Sequence, residues 1–276
     1  MKVTETVGET AAQAYERLLV QPLFAPTAAM AARLAAIAPG ERVIDLACGT
    51  GIGLRAAAWH AGFLADATGI DSDADMVATA RELLATHQVP SRVLVALADA
   101  VPLPAGSFDI CLCLQGLQFF DDRQGALREM RRLLAPQGRL VISAWAAIEQ
   151  VPGHQAVYQA LEAHGIDTTS PRRGFELREP RALLELAELQ FPHATVEVEE
   201  RSARFESAMH FVESLFAGAP YTRRVIASLS EEQRHRCVED ACRRLRPFES
   251  PAGLQLPLRS HVLVAHNDTD SRHAVR

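Results

Sequence analysis

The sequence lacks several features that would place a protein in a broad class at once. Its five cysteines are an odd number in 276 residues, so a framework of paired disulfides is not expected. No apolar run approaches the ~20 residues that cross a bilayer, and the first residues lack the apolar core of a secretory signal. We therefore expect a cytoplasmic protein with no membrane span.

Basic residues are too scattered to indicate a polyanionic partner. The formal net charge is −6, and the arginines form only short pairs such as Arg131 and Arg132. A protein that binds a phosphate backbone usually carries a basic patch or stripe. We therefore disfavour a nucleic acid and expect a small-molecule substrate.

The composition is typical of a globular enzyme. Hydrophobic residues make up 48% of the chain and charged residues 22%, and 276 residues suffice for one large or two small domains with a buried core. Apolar strand-like runs alternate with amphipathic helical runs. This alternation predicts an α/β fold with a doubly wound, mostly parallel sheet that has helices on both faces.

The first half of the pattern is regular. Two alanine-rich helices are predicted over residues 10–19 and 26–38, before the first strand. Helices should then separate five strands, which the pattern places at 42–46, 67–71, 92–97, 108–114 and 139–145. In an open sheet of this kind, ligands bind beyond the carboxyl ends of the strands.

The second half departs from this order. The alternating segment 195–199 predicts an exposed or antiparallel strand, and residues 207–246 look wholly helical before a last strand at 256–265. A helical insertion of that size between two strands is usually functional. The predicted domains are N-terminal helices over 1–40, a Rossmann-like domain over 41–205 and 247–266, a helical lid over 206–246 and a frayed tail over 267–276.

The most informative segment runs from Arg42 to Gly53, where an apolar strand breaks into alternating glycines. Gly49, Gly51 and Gly53 let the backbone adopt positive φ and approach a ligand closely before a helix begins. A strand, a glycine turn and a helix in this order indicate a site for a nucleotide-type cofactor.

Three further strand ends carry candidate ligand-binding residues. Asp71 ends the second strand, where a carboxylate can accept both hydroxyl protons of a ribose; the alternative is that it only caps the next helix. Asp99 and Ala100 follow the third strand, where an acceptor and a backbone donor can read an adenine edge, although the simpler interpretation is a loop aspartate that faces water. The end of the fourth strand adds Leu114, Gln115 and Gln118.

A nicotinamide cofactor is the main alternative at the glycine turn. The dinucleotide fingerprint has glycines at its first, third and sixth positions, whereas the sixth position counted from Gly49 is Leu54. A second aspartate after the third strand also has no place in that fingerprint. The combination favours a ligand made of one adenosine and an amino acid.

Together these segments resemble the motifs of class I S-adenosylmethionine (SAM)-dependent methyltransferases. The matching segments are 43–53 (motif I), 69–76 (post-I), 97–104 (motif II), 107–109 and 133–140. Gln137 stands where the family often has glycine. The resemblance covers about residues 10–145, and within the class it is closest to the quinone-biosynthesis type and related small-molecule methyltransferases.

The resemblance implies a seven-stranded sheet, SAM as methyl donor, S-adenosylhomocysteine (SAH) as product and no metal. It also implies that the N-terminal region around Tyr15 closes over SAM, although packing is the more ordinary role of that side chain. Carried over residue by residue, it assigns the methionine moiety to Asp45, Ala47, Cys48, Gly49 and Gly51, the ribose to Asp71 with Ser72 beside it, and the adenine to Asp99, Ala100 and Met76.

Methyl transfer needs few protein groups, because the sulfonium methyl is already electrophilic and the site must mainly align a nucleophile with it. For a hydroxyl or an activated carbon a general base helps, and histidine is the usual choice near neutral pH. His154 is the first candidate, since it follows the fifth strand with Glu149 and Tyr158 near it in sequence, and His210 is the second. The simpler interpretation of both is a packing histidine.

These arguments predict a SAM-dependent methyltransferase that acts on an O or C atom of a small, fairly apolar metabolite, such as a quinone, polyketide or other natural product. Two alternatives stay open: a SAM-binding protein of the same fold that catalyses a non-methylating step such as a cyclisation, and a non-catalytic SAM-binding module. The oligomeric state is also left open, and a homodimer is one alternative. The aromatic residues of the predicted lid suit an apolar substrate pocket and, equally, the lid's own core: Phe205, Phe211, Phe216 and Tyr221.

Overall fold

The computed structural model describes residues 8–268. The strands are β1 (Arg42–Leu46), β2 (Asp66–Asp71), β3 (Arg92–Val95), β4 (Phe108–Leu114), β5 (Leu134–Trp145), β6 (Thr195–Phe205), β7 (Glu249–Ser250) and β8 (Gly253–His266). The α-helices are α1 (Ala11–Tyr15), α2 (Ala25–Leu34), α3 (Ile52–Ala61), α4 (Ala74–Thr86), α5 (Arg123–Leu133), α6 (Pro152–Ala163), α7 (Thr169–Arg172), α8 (Pro180–Glu188), α9 (Ala208–Gly218), α10 (Pro220–Ile226) and α11 (Glu231–Leu245).

The strands form one sheet in the order β3-β2-β1-β4-β5-β8-β6, and β7 pairs with β8. Neighbours from β3 to β5 run parallel, and Asp45 of β1 lies opposite Gly69 of β2 and Leu112 of β4. The chain leaves β1 for β2 and β3 and then returns to the other side of β1 as β4. The order therefore reverses between β1 and β4, which is where open α/β sheets bind their ligands.

This topology confirms the predicted doubly wound α/β fold, with one difference at its end. The sheet has eight strands rather than seven, because the two-residue β7 forms an antiparallel hairpin with β8. Ser250 pairs with Gly253, so the connecting loop is Pro251 and Ala252. That pair is not one of the Asn-Gly or Asp-Gly signals by which short hairpins are recognised in a sequence.

The N-terminal helices differ from the two separate helices that the sequence predicts. After α1 the chain continues as a π-helix, Glu16–Phe24, and passes directly into α2. Pro22 lies inside the π-helix, and proline normally ends a helix because it has no N–H to donate. Ala25 donates its N–H to the carbonyl of Val20, the spacing of a π-turn. The wider turn keeps the chain helical past the proline.

The described chain divides into two compact units. The helical unit comprises Trp145–Arg178, Val198–Ser260 and the described residues up to Pro26. The sheet unit comprises Thr27–Ala144, Glu179–Glu197 and the described residues from His261. These units differ from the predicted domains, since the predicted N-terminal segment 1–40 contributes residues to both of them.

Each unit has its own hydrophobic core. In the sheet unit, α2, α3 and α4 cover β1, β2 and β4 with aliphatic side chains. In the helical unit, α9 packs on α1 and on the π-helix, and α11 packs on α6 and α9. The core of the helical unit is rich in aromatic rings, which include Trp145, Tyr158, Phe175, Phe205, Phe211 and Phe216.

Asn267, the first residue of the predicted frayed tail, is held in place by hydrogen bonds. Asn267 is buried, and its Nδ2 atom donates to the carbonyls of Leu134 and Ala135 at 2.9 and 3.1 Å. Its backbone also exchanges hydrogen bonds with Gln137 and Gly138. The rest of the predicted tail, residues 269–276, lies outside the described residues. Within residues 8–268, no helix has the length and apolar character that a membrane span requires.

Candidate functional site

The turn after β1 has the tight backbone predicted for Gly49 and Gly51, whereas Gly53 lies in the first turn of α3 and has no positive φ. Gly49 and Gly51 have φ values of 53° and 84°, and Ala47 also has a positive φ of 59° although it carries a Cβ. The turn is tied to β2 and to itself, since Cys48 donates its N–H to the carbonyl of Ile70 at 3.0 Å and Gly51 donates to Cys48 at 2.9 Å. A left-handed alanine costs roughly 1–2 kcal/mol and is maintained where surrounding contacts impose it, often at a ligand site.

Asp71 links the glycine turn to the end of β2. Its Oδ2 atom accepts the N–H of Gly49 at 2.8 Å, and its Oδ1 atom accepts the N–H of Asp73 at 2.9 Å. A carboxylate has about four lone-pair sites, so each oxygen keeps capacity for a further donor such as a ribose hydroxyl. The helix after it is capped by Asp73, which accepts from Asp75 and Met76. Asp71 is therefore not the residue that caps this helix, and Ser72 lies exposed between the two aspartates.

Asp45 is buried beneath the same turn. Its side chain is only 2% exposed, and its Oδ1 atom has no hydrogen-bond partner among the described residues. The carboxylate lies against the first turn of α3, where a Cβ added to Gly53 would meet its Oδ2 atom at 2.3 Å. Gly53 is thus needed to let a carboxylate approach the start of the helix, and the orphaned oxygen is a place for a donor from a ligand.

Both carboxylates have raised pKa values. Burial raises the pKa of Asp45 well above its ordinary value, and the charge of Asp71 raises it further. Burial also raises the pKa of Asp71, although the amides of Asp73 and Gly49 that donate to it act in the opposite direction. Two carboxylates in poor solvent contact favour a ligand with a positive charge, which lowers the cost of ionising them.

Replacing Asp45 with asparagine is expected to separate fold stability from cofactor affinity. Because the folded state holds the Asp45 proton more tightly than the unfolded chain, ionisation of Asp45 costs stability as the pH rises from about 4 through the raised pKa. The melting temperature of Asp45→Asn, relative to wild type, should therefore be higher at pH 8 than at pH 5. Its affinity for SAM should fall about tenfold or more, because a charge-assisted acceptor is lost. An equal melting-temperature difference at the two pH values would contradict this account.

The end of β4 approaches the glycine turn closely. Gln115 also has a positive φ, of 59°, and a Cβ added to Gly116 would lie 2.6 Å from the Cβ of Ala47. Gln118 is fully buried, and its Nε2 atom donates to Oε1 of Gln115 at 2.9 Å. The Oε1 atom of Gln118 has no partner among the described residues. The two positive-φ residues, Ala47 and Gln115, thus stand at the ends of neighbouring strands, beside Leu114.

The end of β3 presents the predicted adenine-reading residues. Asp99 and Ala100 are both exposed, and Ala100 donates its N–H to Leu97 at 3.3 Å. This long hydrogen bond belongs to the loop's own turn, so a ligand has to share or displace it. The loop is joined to Asp71 through Ala96, whose N–H donates to the Asp71 carbonyl at 3.0 Å. Met76, in the first turn of α4, is buried.

Two predicted residues lie in the helical unit. Tyr15 stacks on Phe24, with ring centroids 5.2 Å apart. His154 lies on α6 and is only 6% exposed, and its Nδ1 atom has no hydrogen-bond partner among residues 8–268. Burial lowers the pKa of His154 from 6.5 to about 4, so the imidazole is neutral at physiological pH. The rings around it are Trp145, Tyr158, Phe175 and Phe211, at centroid distances of 5.6, 6.3, 5.5 and 5.9 Å.

The sequence neighbours of His154 have other partners. Glu149 forms an ion pair with Arg178 at 2.9 Å, and the Tyr158 hydroxyl lies 3.3 Å from Oγ1 of Thr222. His210, the second candidate base, also has an Nδ1 atom without a partner among the described residues. No group of three or more metal-ligating side chains occurs in the part of the chain that the structure describes.

Sequence reasoning missed the residues that hold the loop after β3. Glu129 and Arg132 of α5 bind the backbone of Val101 and Leu103, just after Asp99 and Ala100. A glutamate and an arginine three positions apart are visible in the sequence, but such pairs are common on helices and do not indicate what else they bind. All other candidates for cofactor binding except Tyr15 lie in the sheet unit, at the carboxyl ends of β1 to β4 or on the first turn of α4.

Comparison with known proteins shows which proteins this chain resembles. Residues 44–142 match the model of a methyltransferase domain. The ubiquinone/menaquinone biosynthesis C-methyltransferase UbiE of Paraburkholderia phymatum is 32% identical to this chain over 112 residues, which cover 41% of the chain and 46% of that relative. The chain spans about half the length of the curated relatives it matches.

Solved structures of a methyltransferase and of a cyclase share the fold at lower identity. The phosphoethanolamine N-methyltransferase 2 of Haemonchus contortus, solved with SAH, superposes with a TM-score of 0.57 at 19% identity, over 93% of this chain and 57% of that one. The cyclase SpnF superposes with a TM-score of 0.54 at 18% identity, over 88% of this chain and 80% of that one. The glycine turn, Asp71 and the orphaned oxygen of Asp45 all lie in or directly beside the matched segment. Residues 44–142 therefore match the sequence of a methyltransferase domain, and the chain shares the fold of solved methyltransferases.

Proposed function

We propose that this protein transfers the methyl group of SAM to an O or C atom of a small, fairly apolar metabolite. The observation that carries the proposal is the pair of carboxylates at the glycine turn. Asp45 is buried and has an oxygen without a hydrogen-bond partner among residues 8–268, and Asp71 holds the turn while each of its oxygens can accept a further donor. A ligand with a sulfonium, an ammonium and a ribose satisfies both groups.

The same charges disfavour a nicotinamide dinucleotide. Its pyrophosphate would have to approach the glycine turn, where the carboxylate of Asp45 lies against the start of α3. The N-terminus of a helix attracts anions, but a buried carboxylate at that position opposes them. A cationic ligand instead gains from both aspartates.

In this proposal the chain binds and orients, while bound SAM supplies the electrophilic methyl group. Asp71 holds the ribose hydroxyls, and Asp45 accepts from the methionine amino group. Gln118, whose buried Oε1 atom lacks a partner among the described residues, offers a further acceptor near the end of β4. These assignments follow the family resemblance, and the positions of the acceptors support them.

The apolar and aromatic side chains of the helical unit favour an uncharged, largely apolar substrate. The ring of His154 has aromatic neighbours on several sides, and the core of this unit consists of apolar and aromatic side chains. The name of the UbiE relative describes a C-methyltransferase of quinone biosynthesis, which favours a quinone-like acceptor of the methyl group. A natural-product acceptor fits the same chemistry. The lid role of residues 206–246, a cytoplasmic location and a homodimer stay predictions.

A calorimetric titration of the purified protein with SAM, SAH and NAD tests the cofactor part of the proposal. We expect micromolar affinity for SAM and SAH and no heat of binding with NAD, because only the first two present an α-amino group to Asp45. Binding of NAD, or of none of the three, would reject the proposal.

A second assay separates methyl transfer from the two alternatives. The protein is incubated with SAM that carries a labelled methyl group and with a panel of quinols, phenols and enolisable polyketides. We expect label in an extractable product together with stoichiometric SAH. Conversion of an acceptor without label would favour a cyclase that uses the same fold, as SpnF does. Binding of SAM with no conversion across the panel would favour a non-catalytic module.

A further inference from the structure

The loop that follows β3 is held by two charged side chains of α5. Glu129 and Arg132 form an ion pair, with 2.6 Å between Oε1 and Nη2. The N–H of Val101 donates to Oε1 of Glu129 at 2.9 Å. The guanidinium of Arg132 donates to the carbonyls of Leu103 and Val101, at 2.8 and 3.1 Å. The pair therefore binds the loop through both its donors and its acceptors.

The same helix holds the loop at a third point. Gly106 donates its N–H to the carbonyl of Arg132 at 2.9 Å. The side chain of Glu129 is only 11% exposed, and the guanidinium of Arg132 that donates to it holds the pKa of Glu129 below its usual range. Glu129 is thus ionised at neutral pH, and charge-assisted hydrogen bonds of this kind are roughly twice as strong as neutral ones.

The pair acts directly beside the predicted adenine-reading residues. Val101 follows Asp99 and Ala100, which are exposed and have little packing of their own to fix them. Because peptide groups are planar, holding both the N–H and the carbonyl of Val101 fixes the peptide planes on either side of it. One of these planes contains the carbonyl of Ala100. The conformation of the loop therefore depends on α5.

We propose that Glu129 and Arg132 are positioning residues that set Asp99 and Ala100 in place and thereby determine the selectivity of the cofactor site for adenine. The inference rests on the proposed SAM site. Neither side chain contacts the cofactor in this proposal, and both act through the backbone of Val101. Loosening the loop should therefore reduce the discrimination between nucleobases and not merely the stability of the fold.

The test compares the binding of SAH with that of S-inosylhomocysteine, in which an oxygen replaces the exocyclic amino group of the adenine. Calorimetry is done on the full chain as wild type, Glu129→Ala and Arg132→Ala. Wild type should prefer SAH by roughly tenfold or more, because a site built to bind a donor rejects the analogue that lacks it. Each variant should lose most of this preference through weaker binding of SAH.

Two further variants serve as controls. Arg128→Ala removes a half-exposed arginine of the same helix that forms an ion pair with Asp122, at 3.4 Å, so it should keep the wild-type preference. Glu129→Gln keeps an acceptor for Val101 and should retain more of the preference than Glu129→Ala. If either alanine variant fails to fold, Arg132→Lys keeps the charge, but its three N–H donors cannot replace the four hydrogen bonds that the guanidinium makes to Glu129 and the two carbonyls.

The outcomes separate the inference from the proposed function. Variants that keep the wild-type preference overturn the inference, and a lower melting temperature with an unchanged preference does so as well, because it shows a structural role only. A wild type that binds SAH and S-inosylhomocysteine equally also overturns it. A wild type that binds neither compound rejects the proposed function itself.

Discussion

Replacing Asp71 with alanine is expected to weaken SAM binding by about 3 kcal/mol, on the order of 100-fold. The carboxylate has two tasks, since its oxygens accept the N–H groups of Gly49 and Asp73 and in our proposal also the ribose hydroxyls. Removing it takes away a charge-assisted acceptor and frees the turn that approaches the methionine moiety. The affinities of the variant for SAM and for SAH, measured by calorimetry, check the prediction.

Two variants make this measurement specific. Asp71→Asn keeps the size of the side chain but replaces one acceptor oxygen with a donor. The variant must therefore lose the hydrogen bond from Gly49 or from Asp73. We expect it to bind SAH at least about tenfold more weakly than wild type does. Asp75→Asn removes an exposed carboxylate from the first turn of α4 and should bind as wild type does. Wild-type affinity in both Asp71 variants would remove Asp71 from the cofactor site.

The affinity for SAM should also depend on pH through Asp71. Burial raises the pKa of this carboxyl above its ordinary value, so it takes up a proton at a higher pH than an exposed aspartate does. A protonated Asp71 accepts hydrogen bonds more weakly, and binding should therefore decline as the pH falls through the raised pKa. Asp71→Asn has no such proton, and its residual affinity should be flatter over the same range.

The order of strands and helices in the first half of the chain could be predicted from the sequence, because apolar runs, helical periodicity and glycine turns are local signals. β1 coincides with the predicted strand 42–46, and β4 coincides with the predicted strand 108–114. The π-helix could not be predicted, since Pro22 is a normal signal for the end of a helix. The β7–β8 hairpin was missed because its loop residues carry no turn signature.

The sequence predicts which residues lie at the carboxyl ends of the strands, but not the energetics of the candidate site. The positions of Asp45, Asp71 and Asp99 follow from the ends of strands. That Asp45 has an unpartnered oxygen, and that Ala47 and Gln115 are held at positive φ, depend on packing between strands that lie far apart in the sequence. Long-range contacts of this kind produce no periodic pattern in the sequence. The hydrogen bonds between α5 and the loop after β3 are also long-range contacts, so the sequence pattern does not predict them.

The protonation of Asp45 and Asp71 should differ between the protein without SAM and the protein with SAM bound. In the absence of a cation, burial disfavours ionised Asp45 and Asp71, so the protein without SAM is expected to carry extra protons there. A sulfonium and an ammonium favour the ionised forms. SAM binding should therefore release protons, and the measured heat of binding should change with the ionisation enthalpy of the buffer.

His154→Phe is expected to stabilise the fold and, if His154 is the general base, to slow turnover strongly. Phenylalanine fills the place of the imidazole among Trp145, Phe175 and Phe211 without the unpartnered Nδ1 atom, which should add about 1 kcal/mol to the free energy of unfolding at pH 7. If His154 is the general base, turnover should fall by about 100-fold or more, while the affinity for SAM is unchanged. Thermal unfolding and labelled methyl transfer measure the two effects.

The pH dependence of stability gives a second readout for His154. Its pKa is lowered to about 4 in the folded state, so the unfolded chain binds the proton more tightly. Wild type should therefore lose stability as the pH falls from about 6.5 to about 4, by about 3 kcal/mol in all from this group. His154→Phe lacks this loss, so its advantage over wild type should grow as the pH is lowered through that range.

Two further variants decide between a catalytic and a packing role for His154. His164→Asn, at the end of the same helix, removes a half-buried imidazole and should leave turnover unchanged. His154→Asn keeps a polar side chain and should still turn over at least about 100-fold more slowly if a base is required. A rate of His154→Asn within about twofold of wild type, with the stability effects of His154→Phe as expected, would show that the buried imidazole only packs.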